Sequence, residues 1–310
     1  ETEAALRRAA RVQDARRAAA EVFRFAPAAT GDGTEIRVLV NVGDPAELDG
    51  LDPAMCDGVG LVRTEFLFHA GQNLPDEEAQ FAAYAAIVRW AAGRPVTLRT
   101  LDAGGDKPIA GLTIEGESNP FLGVRGIRLS LARPEIFRVQ LRAMVRAAAL
   151  GDVRIMLPMV AVPAELDAVR TLLDEAAEQC RLPAPPLGIM VEVPAAALCA
   201  ERFAADFYSI GSNDLVQYTL AAARDISGVA ALADPTDPAV LELIRRTVAA
   251  GAARGVEVSL CGDAAGQPAM TAHLLQAGLR SLSMAPAAVA EVKQAIAAIS
   301  LNRERTGETS

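Results

Sequence analysis

The residues of this sequence best suited to chemistry are arginines, carboxylates and a cysteine that stand at or just after short apolar runs. Each run has the length and composition of a buried strand, so its polar end would lie where the strand stops. Arginine presents planar, permanently charged forks that suit phosphate and carboxylate groups, which makes a small polyanion the expected ligand. The candidate ligand-binding residues are Arg63, Arg99, Arg125, Asn213, Asp214 and Arg224.

Two carboxylates could hold a metal ion. Glu192 and Asp214 have no histidine or cysteine close by in sequence. Hard oxygen ligands of this kind suit Mg²⁺, or Mn²⁺, completed by water and ligand oxygens. The alternative is that both carboxylates pair with the arginines. Cys261 also has two interpretations: a buried inert thiol, or a proton donor or acceptor beside a metal-held anion.

The elements that must position these residues are eight apolar runs that alternate with helical segments. Their near-continuous apolar character is typical of parallel strands covered by helices, and a count of eight predicts a closed (β/α)8 barrel. An open doubly wound α/β sheet is the alternative. In both folds ligands bind at the carboxyl ends of the strands. The predicted runs are Ile36–Val42, Gly58–Phe66, Pro95–Asp102, Val153–Met159, Leu187–Val193, Phe207–Gly211, Val256–Gly262 and Ser281–Met284.

Composition limits the class of protein. The formal net charge of -9 argues against nucleic acid or an anionic membrane surface as a partner. No apolar run is long enough to span a bilayer. The four cysteines are far apart and form no CxxC pair, which favours a reducing cytoplasm over a disulfide framework or a zinc site.

Three segments are expected along the chain. Residues 1–27 are rich in alanine, arginine and glutamate and predict a connector helix that follows a missing N-terminal domain. Residues 28–300 contain the barrel, and residues 301–310 read as a polar tail. The chain is therefore interpreted as one large domain within a longer protein.

Six ordered blocks resemble the phosphoenolpyruvate (PEP)-binding domain of enzyme I, the phosphoenolpyruvate–protein phosphotransferase of bacterial phosphotransferase systems. The resemblance covers about residues 30 to 300. The blocks are Gly60–Phe68 (GLVRTEFLF), Arg99–Lys107 (RTLDAGGDK), Asn119–Arg125 (NPFLGVR), Ile189–Pro194 (IMVEVP), Ser209–Leu220 (SIGSNDLVQYTL) and Leu260–Asp263 (LCGD).

The resemblance implies a role for each site residue. Arg63 and Arg99 would grip the transferred phosphoryl group, and Arg125 and Arg224 would complete the positive pocket. Glu192 and Asp214 would hold Mg²⁺, and Asn213 would hydrogen-bond the substrate. Cys261 would protonate the methylene carbon of enolpyruvate to give pyruvate, so Cys261, Arg63 and Arg99 form the expected catalytic set.

The resemblance also implies partners that lie outside this chain. Enzyme I carries its phosphorylated histidine on a separate N-terminal domain and passes the group to a histidine-containing phosphocarrier protein. Neither His69 nor His273 stands in such a context, so this chain alone is not expected to phosphorylate the carrier. A homodimer is expected as well.

Several positions depart from the family pattern. Smaller or different side chains there predict a looser orientation of Arg224 and Cys261. Two alternatives to enzyme I stay open: the related domain of a pyruvate phosphate dikinase or PEP synthase, and a non-catalytic module that senses PEP or dimerises. The departing positions are Ala223, Ala231, Ala233, Asp263 and Gln267.

Overall fold

Eight short strands form a closed parallel barrel. The computed structural model describes residues 18–69, 74–105, 107–114, 116–223 and 226–301. Each strand pairs with the next along the chain and the eighth pairs with the first, so the barrel has no free edge. This confirms the (β/α)8 prediction over the open sheet. The strands, numbered β1 to β8, are Arg37–Val42, Val59–Val62, Val96–Arg99, Val153–Leu157, Leu187–Val191, Phe207–Ile210, Glu257–Leu260 and Ser281–Met284.

Helices cover the outside of the barrel. In the helix Pro134–Ala148 the buried residues Phe137, Leu141 and Met144 recur at helical spacing and join the main apolar core against the strands. The core therefore lies between the strands and the helix layer. The helices, numbered in chain order from α1 to α10, are Glu65–His69, Glu77–Trp90, Ile127–Ala132, Pro134–Ala148, Pro163–Cys180, Pro194–Leu198, Ser212–Leu220, Pro238–Arg254, Thr271–Gln276 and Val289–Ala297.

The inside of the barrel holds a second, smaller apolar cluster. A Cβ on Gly188 would lie 2.5 Å from the Phe207 ring, so this ring occupies space that a glycine leaves open. Large and small side chains interdigitate in this way in eight-stranded barrels. The cluster consists of Leu61, Met156, Met190, Phe207 and Cys261.

Most predicted strands extend too far at their carboxyl ends. The run Gly58–Phe66 was interpreted as one strand, but β2 ends at Val62 and Glu65–His69 is helical. The β4 strand ends at Leu157, because Pro158 has no N–H with which to continue the pairing. Several polar residues are among those wrongly assigned to strands, and Arg63, Asp102 and Glu192 lie beyond the carboxyl ends of β2, β3 and β5.

The N-terminal segment is helical where the structure describes it. Residues 18–20 are α-helical and continue into a 3-10 turn at Glu21–Phe23. Lys293 of α10 fixes the chain that follows, because its Nζ donates to the carbonyls of Arg24, Ala26 and Met55 at 2.8 to 2.9 Å. The division into a connector (1–27), a barrel (28–300) and a tail (301–310) stays a prediction. Along the described ranges, we find no helix with the length and apolar character needed to cross a bilayer.

Candidate active site

A cavity of about 200 Å³ opens at the carboxyl ends of the strands. It is smaller than the roughly 300–1,000 Å³ of pockets that hold drug-sized ligands, so it suits a small metabolite. Lys107 also lines it, although sequence reasoning assigned that residue no role. Six of the predicted site residues line this cavity together: Arg63, Arg99, Glu192, Asn213, Asp214 and Cys261.

Two arginines give the cavity its positive side. Arg63 follows β2 and is exposed, and its guanidinium forms no ion pair with the residues that the structure describes. Arg99 ends β3 and is buried, with Nη2 3.1 Å from Glu65 Oε1 and Nη1 3.1 Å from Asp102 Oδ2. The Nε of Arg99 is buried and has no hydrogen-bond acceptor in the described structure. This unmet donor is a cost to the fold rather than a ligand contact, because the Nε itself is shielded from atoms the size of water.

Asp102 links three cations behind the cavity. Its Oδ2 lies 3.0 Å from Lys107 Nζ and its Oδ1 lies 3.2 Å from Arg125 Nε, in addition to the contact with Arg99. Burial alone would raise the pKa of Asp102, but Arg99, Lys107 and Arg125 hold it far below its usual range. Asp102 therefore stays charged and fixes the positions of all three cations.

Arg125 does not line the cavity. Its side chain is completely buried, and Nη1 and Nη2 donate to the two carboxylate oxygens of Asp214 at 3.1 Å. Nη1 also donates to the hydroxyl of Tyr218, which itself donates to the Phe121 carbonyl at 2.5 Å. Burial raises the pKa of Tyr218 to about 12, so this hydroxyl keeps its proton. The structure thus places Arg125 behind Asp214, where it orients that carboxylate.

The charge argument made from sequence was incomplete. The arginines were expected to require an anionic ligand, but Arg99 and Arg125 are buried and are neutralised by protein carboxylates. Arg99 pairs with Glu65 and Asp102, and Arg125 pairs with Asp102 and Asp214. Buried charges require such partners. The case for an anionic ligand therefore depends on exposed Arg63 and on Lys107, which both line the cavity.

Glu192 and Asp214 form the negative side of the cavity. Glu192 follows β5, and its Oε1 accepts from the backbone N–H of Met159 at 2.7 Å. A Cβ on Gly211 would lie 2.7 Å from Glu192 Oε2, so glycine leaves room for this carboxylate. Burial, then the charges of Asp214 and Asp102, raise the pKa of Glu192 to about 8.

A divalent cation would relieve this repulsion. Two hard carboxylates in a cavity that a small ligand can enter fit Mg²⁺ or Mn²⁺, which take the remaining oxygens from water and ligand. No cluster of three or more histidine, cysteine, aspartate or glutamate side chains able to hold a metal is found in the described part of the chain.

The first turn of α7 presents Asn213 and Asp214 to the cavity. The helix begins directly after Gly211, at the carboxyl end of β6, and no side chain caps it. Asn213 Oδ1 accepts from the backbone N–H of Asp263 at 2.9 Å, so its orientation does not depend on the side chain at position 263.

Cys261 is buried at the end of β7 and remains a thiol. Burial raises its pKa to about 11, and Sγ lies 3.7 Å from the carbonyl oxygen of Ile210. A protonated sulfur in the cavity wall can donate a proton to a bound carbanion, whereas a thiolate could not.

Some residues of the site were missed or cannot be placed. Glu65, Asp102 and Lys107 stand inside the quoted sequence blocks at the ends of β2 and β3, so their position was a usable signal. Met159 carried no such signal, because its contribution is a backbone amide. Arg224 lies outside the described residues, and its assignment stays a prediction.

The sequence matches a known family over most of its length. A model of the family described as "PEP-utilising enzyme, PEP-binding domain" covers residues 17–301. The chain belongs to this family. Similar proteins include the phosphoenolpyruvate-protein phosphotransferases of Cupriavidus necator (45% identity, 88% of this chain and 49% of that protein) and Staphylococcus carnosus (41%, 93% and 51%). The multiphosphoryl transfer protein of Rhodobacter capsulatus is 45% identical over 87% of this chain and 33% of its own length. This chain therefore spans about a third to a half of the length of these relatives.

Solved structures support the fold alone. A citrate lyase from Burkholderia xenovorans superposes with a TM-score of 0.54 at 16% identity, covering 87% of this chain and 78% of that one. A malate synthase from Haloferax volcanii superposes with a TM-score of 0.53 at 12% identity, covering 89% and 76%. At such low identity these likenesses carry no information about the ligand.

Proposed function

We propose that this chain binds PEP with Mg²⁺ and forms pyruvate, as the PEP-binding domain of a phosphoenolpyruvate–protein phosphotransferase. The phosphoryl group would pass to a histidine on a separate N-terminal domain. The observation that carries the proposal is that one small cavity is lined by cations, two metal-type carboxylates and a protonated thiol. Transfer of a phosphoryl group depends on positioning and charge neutralisation, and the carbon left behind needs an acid.

The cations would hold the transferred group. Arg63 and Arg99 both line the cavity and are proposed to bind phosphoryl oxygens, and within the described ranges the exposed guanidinium of Arg63 forms no ion pair that would compete. Lys107 adds a third positive charge to the wall. Arg224 is proposed as a substrate ligand on family resemblance. Arg125, expected at the substrate, is proposed to act through Asp214 instead.

The acid chemistry is assigned to Cys261. The bond from phosphorus to the enol oxygen breaks, phosphorus bonds to the acceptor histidine nitrogen, and the enolate of pyruvate remains. The Cys261 thiol then gives its proton to the methylene carbon, which forms the methyl group of pyruvate, and the thiolate regains a proton from water. Mg²⁺ held by Glu192 and Asp214 would neutralise charge on phosphate and carboxylate oxygens. Asn213 would hydrogen-bond the substrate.

The remaining partners follow from the relatives' names and the family resemblance. We include in the proposal a histidine-containing phosphocarrier protein as the next acceptor, a homodimer, and a cytoplasmic location. The short share of each relative that this chain spans agrees with a phosphohistidine domain elsewhere in the protein.

Calorimetry tests the binding half of the proposal. PEP titrated into the chain should bind in the presence of Mg²⁺ and at least tenfold more weakly without it. Arg99→Met should weaken binding by at least tenfold, because charge-assisted hydrogen bonds to phosphate are lost. Arg246→Met is the matched control, since Arg246 is exposed and pairs with Glu242 on α8. Absence of PEP binding by the unaltered chain would refute the proposal.

Pyruvate formation tests the catalytic half. A histidine-bearing acceptor domain is supplied in trans, and pyruvate is measured by a coupled lactate dehydrogenase assay. Cys261→Ala should retain PEP affinity within threefold and lose pyruvate formation. If the unaltered chain binds PEP and forms no pyruvate with any acceptor domain, the chain is a PEP-sensing module and the enzyme assignment is wrong.

A further inference from the structure

The backbone at Met159 has an uncommon conformation. Four non-glycine residues in the described ranges have positive φ, and three of them, Ala92, Arg181 and Ala221, lie at or beside the C-terminus of a helix. A left-handed residue is usual there. Met159, with φ of 61°, follows β4 and ends no helix. A long side chain is strained in this region, so such an outlier points to a role.

The left-handed turn aims one backbone donor at the ligand cavity wall. The N–H of Met159 donates to Glu192 Oε1 at 2.7 Å. Met159 is 2% exposed and Glu192 is 1% exposed, so water does not compete for this bond. Glu192 also lines the cavity, whereas Met159 does not. The Met159 amide therefore acts on the cavity indirectly, through its hydrogen bond to the Glu192 carboxylate.

The surroundings hold the strained residue in place. Pro158 restricts the preceding backbone, and its carbonyl accepts from the N–H of Ile127 at 3.3 Å. The Met159 side chain packs over Gly126, where a Cβ would lie 2.9 Å from its Cβ and Cγ. Gly126 itself follows Arg125, which orients Asp214. The same strained segment therefore contacts Glu192 directly and packs against the residue that follows Arg125.

We propose that Met159 is a positioning residue for the divalent ion. Its left-handed backbone points the amide at Glu192, and this fixes the rotamer in which the second carboxylate oxygen faces the cavity. The inference rests on the proposed function, because the ion is the Mg²⁺ that accompanies PEP. The role belongs to the backbone conformation of residue 159 rather than to the chemistry of the methionine side chain.

Two substitutions separate the backbone from the packing. Met159→Gly removes more volume, yet glycine adopts positive φ without strain. Met159→Val keeps more volume, but a β-branched residue strongly disfavours this region. A role in packing alone predicts that Mg²⁺ enhances PEP affinity less in the glycine variant than in the valine variant. A role in positioning predicts the opposite order.

The first measurement is calorimetry of PEP with and without Mg²⁺. The enhancement of PEP affinity by Mg²⁺ should stay within threefold of the unaltered chain in Met159→Gly and fall at least tenfold in Met159→Val. Affinity without Mg²⁺ should be equal in all three proteins, because the arginines are untouched. An enhancement that falls further in the glycine variant than in the valine variant would overturn the proposal.

The second measurement needs no ligand. Hydrogen exchange of the residue 159 amide should be slow in the unaltered chain and in Met159→Gly, and at least tenfold faster in Met159→Val. Equal protection in the valine variant would also overturn the proposal. If the unaltered chain does not bind PEP, the proposed function fails, and this exchange measurement then decides only whether the backbone conformation of residue 159 holds its amide on Glu192. Should Met159→Val not fold, Met159→Ala replaces it, since alanine adds one methyl to glycine and restores the strain.

Discussion

The coupling of Mg²⁺ binding to proton release from Glu192 is the sharpest prediction of the site. Burial and the charges of Asp214 and Asp102 raise the pKa of Glu192 to about 8. A carboxyl group must lose its proton before it binds a metal, so protons and Mg²⁺ compete for this side chain. Below pH 8 most Glu192 side chains carry a proton that Mg²⁺ must displace. Above pH 8 most are ionised, and Mg²⁺ binds without displacing a proton.

The magnitude follows from the pKa of about 8. Apparent Mg²⁺ affinity should rise about 50-fold from pH 6 to pH 8 and only about twofold more from pH 8 to pH 9, since each pH unit below the pKa costs about tenfold. At pH 7, binding should release about 0.9 protons per ion. Calorimetry with Mg²⁺ alone, in two buffers with different ionisation enthalpies, gives both quantities. Binding that is independent of pH between 6 and 8 would refute the reasoning.

Glu192→Gln is the control for this experiment. Carboxyl NMR of the metal-free chain should show a group that titrates near pH 8, and the variant should lack it. The stability of the metal-free chain has a matching sign. Because folding raises the pKa from 4.5 to about 8, the folded state binds the extra proton, and stability falls as pH rises through this interval. If Glu192→Gln loses as much stability as the unaltered chain when the pH rises through this interval, the assignment of the raised pKa to Glu192 is wrong.

Three further predictions concern the supports of the site. Arg125→Met should destabilise the fold by about 3–5 kcal/mol in urea unfolding, because two buried carboxylates lose their partner. The control Arg246→Met removes an exposed ion pair and should cost at most about 1 kcal/mol. Equal costs would contradict the role of Arg125 as the buried partner of Asp102 and Asp214. Gln140→Leu removes the acceptor of the buried Leu101 amide just after β3 and should weaken PEP binding at least threefold by calorimetry. The control Tyr84→Phe removes a hydroxyl that contacts Gln140 from farther out and should leave PEP affinity unchanged. Equal effects of the two substitutions would exclude a role for the end of β3 in binding. Lys293→Met should speed hydrogen exchange in the N-terminal segment at least tenfold, because three carbonyls lose one donor, and unchanged exchange would show that the amine does not hold that segment.

Much of the fold was predictable because each element buries its own pattern. Eight apolar runs separated by amphipathic helices lead to a closed parallel barrel, and all eight strands are found. The ends were less predictable, as at Val62, because pairing with neighbouring strands decides where a strand stops. Local composition contains no information about that partner.

The sequence by itself determined the residue types at the strand ends, and these sufficed to bring Arg63, Arg99, Glu192, Asp214 and Cys261 to one cavity. Parallel strands of a closed barrel share one carboxyl face, so order along the chain becomes proximity in space. Tertiary structure alone decided which charges neutralise one another. It turned Arg125 away from the cavity toward carboxylates distant in sequence, and it turned the backbone amide of Met159 toward Glu192. Such pairings depend on burial and distance, which take their values only when the chain has closed on itself.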